Sequence, residues 1–500
     1  MLDPRIRELF PYLHDKLDLR ITIAREQPRL FLDNTASTQV SLPVLEALAR
    51  TVLDYANVHR GEYRASQLTT ERFEAAYNVA ANLVNAADAN EIVFGRNTTE
   101  MINLVQRALE ADVQDGDNVV VTRLEHNSNY VPWYGMQQRL LRRGVNVDIR
   151  IVDFNKETGA LDMDQLARLV DTRTKIVATT GASNFMGVRP DIHKIAEIAH
   201  ASGYQQQRPQ MRGSFYLVDG AQLVPGTPVD VQAIGCDFLT WSFHKMTLPF
   251  GIGGLYAKAA VLEELDPFLY GGDMIDNVQE GNVTYKKRPW RYTAGTPNIL
   301  GTIATGEGIA VLVNMALGNL TEDDEVERIG RSIETAILLN TPRGVYAGRY
   351  SIDDAVAATW RNYIQRHPDT MNILKDKSLR LTTAQERVRT AMTAIQRHEE
   401  ELTQYALDSM HDIESVTIYG PRDATKRAGL VAFNIQGYKS EAAVLELDKR
   451  GIEARNGTHC ASLAHNALGL NGTVRISFYV YNTKDDVGQA VDAIKEIPRG

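Results

Sequence analysis

The feature that most constrains this chain is a rhythm in its first half, where short apolar runs alternate with stretches of helical periodicity. Glu91-Ile92-Val93-Phe94 reads as a strand that Gly95 turns. From Thr98 onward Met101, Leu104, Val105, Ala108 and Leu109 fall on one helical face. Asn118 to Thr122, Lys175 to Thr179, Phe215 to Val218 (ending at Asp219), Phe238 to Trp241 and Ile252 to Tyr256 read as further strands. Strands separated by helices imply crossover connections, hence an α/β fold with a mainly parallel sheet and helices on both faces. Ligands of such sheets lie beyond the carboxyl ends of the strands. Asp219, Ser242 and the loop before Thr98 all fall at such ends.

The tail carries a smaller α+β pattern. Val474 to Val480 is strand-like, and Thr483-x-x-Asp486 reads as a capping box before a helix with Val487, Val491 and Ile494. The expected organisation is an N-terminal segment, 1–25, packing with the small domain, a large domain over 26–300, and a small domain over 301–500. A helical insertion at about 319–386 interrupts the last of these. It contains Thr359-Trp360-Arg361-Asn362-Tyr363, and Thr382 to Glu386 opens a long helix continuing to about Met410. The insertion reads either as a surface elaboration or as a lid over a site.

Composition excludes several classes of function. With 44% hydrophobic and 23% charged residues the 500-residue chain is globular. A net charge of −9 argues against nucleic acid or an anionic membrane as partner. Two cysteines, Cys236 and Cys460, exclude a disulfide framework and point to a reducing, cytoplasmic setting. The polar opening Met1-Leu2-Asp3-Pro4-Arg5 lacks a signal-peptide core, and no run approaches 18 apolar residues.

Six places could carry chemistry. Ser242-Phe243-His244-Lys245 follows an apolar strand directly, so Lys245 is either a nucleophilic amine of lowered pKa or a lysine snorkelling to the surface. Asp219 lies 26 residues earlier (245 − 219), also at a strand end. An aspartate that keeps a pyridine nitrogen protonated and a lysine that holds an aldehyde are what pyridoxal 5′-phosphate (PLP) chemistry needs; alone, Asp219 reads equally as a helix cap. Gly95-Arg96-Asn97-Thr98-Thr99-Glu100 enters a helix from a strand, where N–H groups and hydroxyls suit a phosphate. His126, after the Asn118–Thr122 strand, could stack on a flat ring. Cys460, in Arg455-Asn456-Gly457-Thr458-His459-Cys460-Ala461-Ser462, reads as an accessible loop thiol, whereas Cys236 reads as buried and inert. Arg475 could grip a carboxylate.

Together these motifs resemble the fold-type I PLP enzymes of the class V aminotransferase family, and within it the group II (SufS-type) cysteine desulfurases. The matching stretches are FLDNTAS, NVHRGEY, GRNTTEMINLV, LEHNSNYVPW, GASNFMGVRPD, VDGAQLVPGTPVDVQAIGCDF, SFHK, FLYGGDMI, AGTPN, RNGTHCA and TVRISFYVYNT, running from about residue 30 to the C-terminus. The resemblance implies a large domain with a seven-stranded-type, mainly parallel sheet and a smaller α+β domain. It implies that Lys245 bonds the cofactor aldehyde, Asp219 pairs with the ring nitrogen, Gln222 contacts the ring oxygen and His126 stacks on the ring. Thr98, Thr99, Ser242 and His244 would hold the phosphate. Thr296 would reach the phosphate of a neighbouring subunit, implying a homodimer with shared sites. Asn184, Arg475 and Arg455 would bind the substrate, and Cys460 would take sulfur from L-cysteine and pass it to an acceptor, plausibly one that builds iron–sulfur clusters. No metal is implied.

The sequence departs from that pattern at Thr458, where a histidine is usual, at Tyr63, another histidine position, at Leu248 in place of glycine and at Thr35 in place of alanine. These positions are expected near the substrate pocket. They leave open a second class V reaction, such as a C–S lyase, aminotransferase or epimerase, in which Cys460 is incidental. A non-enzymatic scaffold is the third reading, and intact Lys245, Asp219 and His126 speak against it.

Overall fold

The computed structural model describes residues 1–13, 29–53, 55–206, 213–249, 251–321, 332, 335–336, 338–340 and 383–497. Its centre is a seven-stranded sheet built from β2 (Ile92–Gly95), β3 (Asn118–Thr122), β4 (Asp148–Val152), β5 (Thr174–Thr180), β6 (Phe215–Asp219), β7 (Phe238–Ser242) and β8 (Gly253–Ala257). The spatial order is β2-β8-β7-β6-β5-β3-β4, and β8 alone runs against the others. Successive side chains of a strand point to opposite faces, so each strand feeds two cores. Val120, Val177, Val218 and Trp241 enter one core, while Val119, Val121, Ile176, Ala178 and Leu217 enter the other. Burial on both faces is why these strands read as unbroken apolar runs.

All six strands expected in this region form. The seventh, β4, escapes the pattern because it is an edge strand: Asp148 is exposed, and Ile149, Arg150 and Ile151 are only half-buried. Its Arg150 pairs with Asp171 at 2.7 Å.

A second sheet, in the order β11-β12-β15-β14, is wholly antiparallel. It comprises β11 (Val416–Tyr419), β12 (Leu430–Ile435), β14 (Arg455–Gly457) and β15 (Thr473–Ser477). The expected Val474–Val480 strand therefore ends at Ser477, and Phe478 to Val480 stay buried off the ladder. The early strand β1 (Leu30–Phe31) crosses over to pair in parallel with β13 (Ile452–Glu453). A hairpin of β9 (Ile275–Gln279) and β10 (Asn282–Tyr285) stands exposed.

Five helices matter for the site: α1 (Leu42–Leu53), α2 (Arg64–Val84), α3 (Thr98–Glu110), α4 (Ile299–Ala316) and α5 (Ala384–His411). Helix α4 is apolar on every side because protein surrounds it; it packs on α1, α2 and α5, so the large core extends past residue 300. Helix α5 starts at Thr383 with a capping box to Glu386. At 28 residues it spans roughly 42 Å and serves both cores. Val388, Met392 and Ile395 enter the large one, and Leu402, Leu407 and Met410 the small one.

Residues 1–13 lie against α5 and the small unit. The Leu2 N–H donates to His398 Nδ1 at 3.1 Å, and Arg7 pairs with Asp486 at 2.8 Å. The rest of the expected N-terminal segment lies outside the described residues, as does most of the expected insertion, Thr359 to Tyr363 included. The tail capping box forms, with Thr483 bonding Asp486 at the start of helix Lys484–Lys495.

One glycine ties the large sheet to helix α3. A Cβ on Gly253, in β8, would lie 2.5 Å from Asn97 Cα, at the cap of α3. Gly253→Ala is expected to displace that cap and cost about 1–3 kcal/mol. Thermal melting checks it; an unshifted melting temperature would show that the cap has room to yield.

Candidate active site

The site assembles where the strand ends of the large sheet meet the small one. β6 ends at Asp219 and the adjacent β7 at Ser242, and Phe243–Lys245 follow as a single 3-10 turn. Two residues distant in sequence thus arrive at one edge because their strands are neighbours. Surrounding protein strips water from the Lys245 ammonium, and this pulls its pKa down to about 8. Asp219 pushes the other way, Arg475 adds to the lowering, and Asp33 opposes it.

Asp219 is buried, and the Ala221 N–H donates to it at 3.0 Å. Burial raises its pKa, while that hydrogen bond and Lys245 restrain the rise. A buried carboxyl with one backbone donor is stabilised in its charged form by a cationic partner. A protonated pyridine nitrogen is such a partner. Gln222, one turn on, donates to the Thr35 carbonyl at 2.8 Å.

The phosphate end also fits. Asn97 caps α3, its side chain accepting from the Glu100 N–H at 3.0 Å. Ser242 Oγ lies 2.8 Å from both the N–H and the Oγ1 of Thr98, so two buried hydroxyls and a helix N-terminus face one spot. Thr99 is exposed on the same first turn. His244 is half-buried, with Nδ1 3.2 Å from Ser37 Oγ, and burial then Lys245 hold its pKa down to about 4. Thr296 is exposed on the turn before α4, apart from this cluster.

His126 stands on the loop after β3. Its Nδ1 accepts from the Ser128 N–H at 3.1 Å, which leaves the imidazole neutral with its proton on Nε2. Burial, Lys245 and Arg475 reinforce this by lowering its pKa to about 4. Below it lies a residue the sequence reading missed. Glu125 is fully buried and accepts from Thr122 Oγ1 and Asn129 Nδ2, both at 2.6 Å. Burial pushes its pKa up to about 8, with Asp219 contributing in the same direction.

The small unit supplies the other wall. Arg475, in β15, is buried; its Nη1 donates to the Asn184 carbonyl at 2.9 Å and its Nη2 lies 3.0 Å from Asp33 Oδ1. Arg455 is exposed on β14. Asn184 does more than the sequence suggests: its amide donates to the His459 carbonyl at 2.5 Å, so it braces the cysteine loop, and its Oδ1 is buried without a partner among the described residues. His459 and Cys460 both adopt left-handed backbone, at φ 52° and 56°. That conformation costs an ordinary residue roughly 1–2 kcal/mol. The Asn127 N–H holds the Cys460 carbonyl at 2.6 Å, fixing the turn from the His126 loop. Cys460 is exposed, and Cys236 is buried with its thiol pKa pushed up.

The four departures separate. Thr35 lines a small cavity of about 20 Å³ together with Lys245, Gln222, Asn34, Tyr479 and Glu399. Leu248 does not reach the pocket: it is fully buried in the core, and a Cβ on Gly308 of α4 would lie 2.3 Å from it. Tyr63 is exposed at the start of α2, and Thr458 is exposed while its carbonyl accepts from the Ala461 N–H at 2.8 Å. Glu399, on α5, also escaped the sequence reading. Its carboxyl is slotted between Gly226 and Gly429, and burial pushes its pKa up to about 7.

A mainly parallel sheet with a desolvated lysine and a buried aspartate at adjoining strand ends defines a class of enzyme that activates amines or carbonyls. The chain belongs to the aminotransferase class-V family, whose model matches residues 30–334 and 369–490. It is 33% identical over 484 residues to a probable cysteine desulfurase of Halalkalibacterium halodurans, covering 96% of this chain and 94% of that one. It is 32% identical to a cysteine desulfurase of Haloferax volcanii, covering 98% and 95%. Among solved structures it is similar to the apo cysteine desulfurase of Thermococcus onnurineus NA1, with a TM-score of 0.75, 27% identity and coverage of 99% and 98%. The cysteine desulfurase CsdA of Escherichia coli gives a TM-score of 0.70 at 28% identity, with coverage of 99% and 98%.

The electrostatics give a direct test on cofactor-free protein. The Lys245 amine is expected to titrate near pH 8 instead of 10.5, since burial favours its neutral form. Asp219→Asn removes a group that favours the charged form and is expected to lower that midpoint further. The rate of Lys245 modification by an amine reagent, followed against pH by mass spectrometry, reads both; a midpoint near 10.5 contradicts the desolvated placement.

Proposed function

We propose that this protein is a PLP-dependent cysteine desulfurase that converts L-cysteine to L-alanine and carries the sulfur as a persulfide on Cys460. The observation that carries this reading is an exposed thiol, held on a strained turn, at the mouth of a site containing Lys245, Asp219 and His126. The likeness to enzymes named cysteine desulfurase over nearly the full chain supports it.

PLP, when bound, supplies an electron sink for charge developing on substrate carbon. Lys245 is the residue to bond its aldehyde, Asp219 to pair with its ring nitrogen, and neutral His126 to stack on its ring. Gln222 would contact the ring oxygen. Thr98, Thr99, Ser242 and His244 would hold its phosphate.

The chain's own groups account for the rest. Arg475, with Asn184 and Arg455, orients the substrate carboxylate. A Lys245 amine with a pKa of about 8 takes up and gives back a proton near neutral pH, which suits it to move protons at the substrate carbons. The Cys460 sulfur attacks the substrate sulfur. An S–S bond forms, the C–S bond breaks, and its electron pair stays with the carbon skeleton, which is protonated and leaves as alanine. No external oxidant is needed. Exposure of Cys460 lets a second thiol, on a sulfur-accepting protein, collect the sulfur.

A homodimer with shared sites belongs to the same reading. Thr296, exposed on the turn before α4, would reach a neighbouring subunit's phosphate, and the hairpin carries exposed Val278 and Val283 beside exposed Leu269 and Tyr270. The reading also places the enzyme in the reducing cytoplasm, where a persulfide acceptor serving iron–sulfur cluster assembly would work.

Product analysis with L-cysteine and a thiol reductant tests the proposal on wild type and Cys460→Ala in parallel. Equal sulfide and alanine are expected from wild type. The variant is expected to retain its PLP absorbance and lose at least 100-fold in rate, on the order of what removal of a nucleophile costs. Pyruvate and ammonia, or activity that survives the substitution, would identify another class V reaction.

A further inference from the structure

β14 and β15 pair in a register that sets Arg455 directly opposite Arg475. Like charges at opposed positions of a ladder repel each other. Arg475 is buried, so water does little to screen that repulsion. The chain answers with Asp33, in the Phe31-Leu32-Asp33-Asn34-Thr35-Ala36-Ser37 stretch that the proposed mechanism leaves unused. Its Oδ1 lies 3.0 Å from Arg475 Nη2 and its Oδ2 lies 3.6 Å from Arg455 Nη1. One carboxylate therefore bridges both arginines.

Backbone geometry holds that carboxylate in place. Asp33 forms a parallel bridge with Ser477, two residues beyond Arg475. On either side of it the Ser477 N–H donates to the Leu32 carbonyl at 2.7 Å and the Thr35 N–H donates to Ser477 Oγ at 2.9 Å. Asn34 donates to the Ser477 carbonyl at 2.6 Å and accepts from the Tyr481 hydroxyl. Asp33 cannot drift away from Arg475 without breaking these bonds.

Arg475 is left partly committed. Nη1 is held by Asn184 and Nη2 by Asp33, while Nε is buried with no partner among the described residues. A ligand carboxylate that takes Nε meets Asp33 already seated on the next nitrogen.

We propose that Asp33 is a resident counter-ion of the substrate-carboxylate site, a positioning residue that pins Arg475 and Arg455 and weakens their hold on an incoming carboxylate. Tight ground-state binding adds nothing to the chemical step, so a site relieved of it keeps its kcat at saturating substrate, with a higher KM, and releases its product sooner. The inference rests on Arg475 being the carboxylate anchor of the function proposed above.

The test uses the PLP-loaded protein, with propionate as a bare carboxylate and propionamide as its neutral counterpart. Affinities are read by calorimetry and by the visible absorbance of the cofactor. Asp33→Asn is expected to bind propionate roughly tenfold more tightly, with propionamide unchanged, and Asp33→Glu to return toward wild type. Unchanged or weaker propionate binding in Asp33→Asn overturns the proposal, because a merely structural Asp33 would loosen Arg475 and lower affinity. Should Asp33→Asn fail to fold, Asp33→Ser serves as the neutral variant. Alanine formation from L-cysteine is measured on the same wild-type preparation. Its absence counts against the desulfurase reading, whereas unaltered propionate affinity in Asp33→Asn counts against the counter-ion.

Discussion

Desolvation of the Lys245 ammonium is the constraint around which the rest of the site is arranged. An amine at its ordinary pKa of 10.5 is almost wholly protonated in neutral water and is a poor nucleophile. Burying it cures that and creates a second problem, because a buried charge without partners is costly. The sheet order solves both. β6 and β7 are adjacent and parallel, so Asp219 arrives beside the lysine's strand end. The carboxyl keeps the ammonium from becoming prohibitively unstable, while burial keeps its pKa within reach of neutrality.

The same reasoning explains why one unit alone does not make the site. The large sheet supplies the amine, the aspartate and the helix N-terminus, but the guanidinium and the thiol come from the small one. Helix α5 joins them by burying one stretch in each core, and the early strand β1 crosses to the small unit to deliver Asp33. Glu399 lies where α5 meets both units, its carboxyl against Gly226 on one side and Gly429 on the other. A side chain on either glycine would have to displace a buried carboxyl, so the seam between the units tolerates little change.

The sequence made legible what depends on local pattern. Strands buried on both faces announce themselves as apolar runs, and polar residues at their ends, such as Asp219 and Lys245, stand out against them. The capping box at Thr483 and the helix start at Thr382 to Glu386 are readable for the same reason, since a helix start is a local spacing rule. What stayed hidden depends on pairing. β4 alternates because it is an edge strand, and neither its pattern nor its length distinguishes it from a loop. Leu248 was expected at the pocket because it follows Lys245 closely, yet the turn after Lys245 sends it into the core against α4. Glu125 and Asp33 are acidic residues that look like surface charges until the fold surrounds them. Nothing local reveals that Asp33 bridges two arginines from strands more than 400 residues away, because that relation exists only once β14 and β15 have found their register.

The cysteine loop joins these strands of argument. Two consecutive residues in left-handed backbone are held against their own preference, and the restraints come from separate parts of the site. Asn127, beside His126, holds the carbonyl of Cys460; Asn184, whose own carbonyl receives Arg475, holds the carbonyl of His459. The position of the thiol is thereby tied by hydrogen bonds to the loop of His126 and, through Asn184, to Arg475. A floppy loop would have to find its target anew on every turnover and would lose the advantage of proximity. A turn carried by the small unit and braced by two asparagines of the large one holds its sulfur at a fixed place relative to Lys245, His126 and Arg475. That arrangement is hard to explain for an incidental thiol and simple to explain for one that reacts.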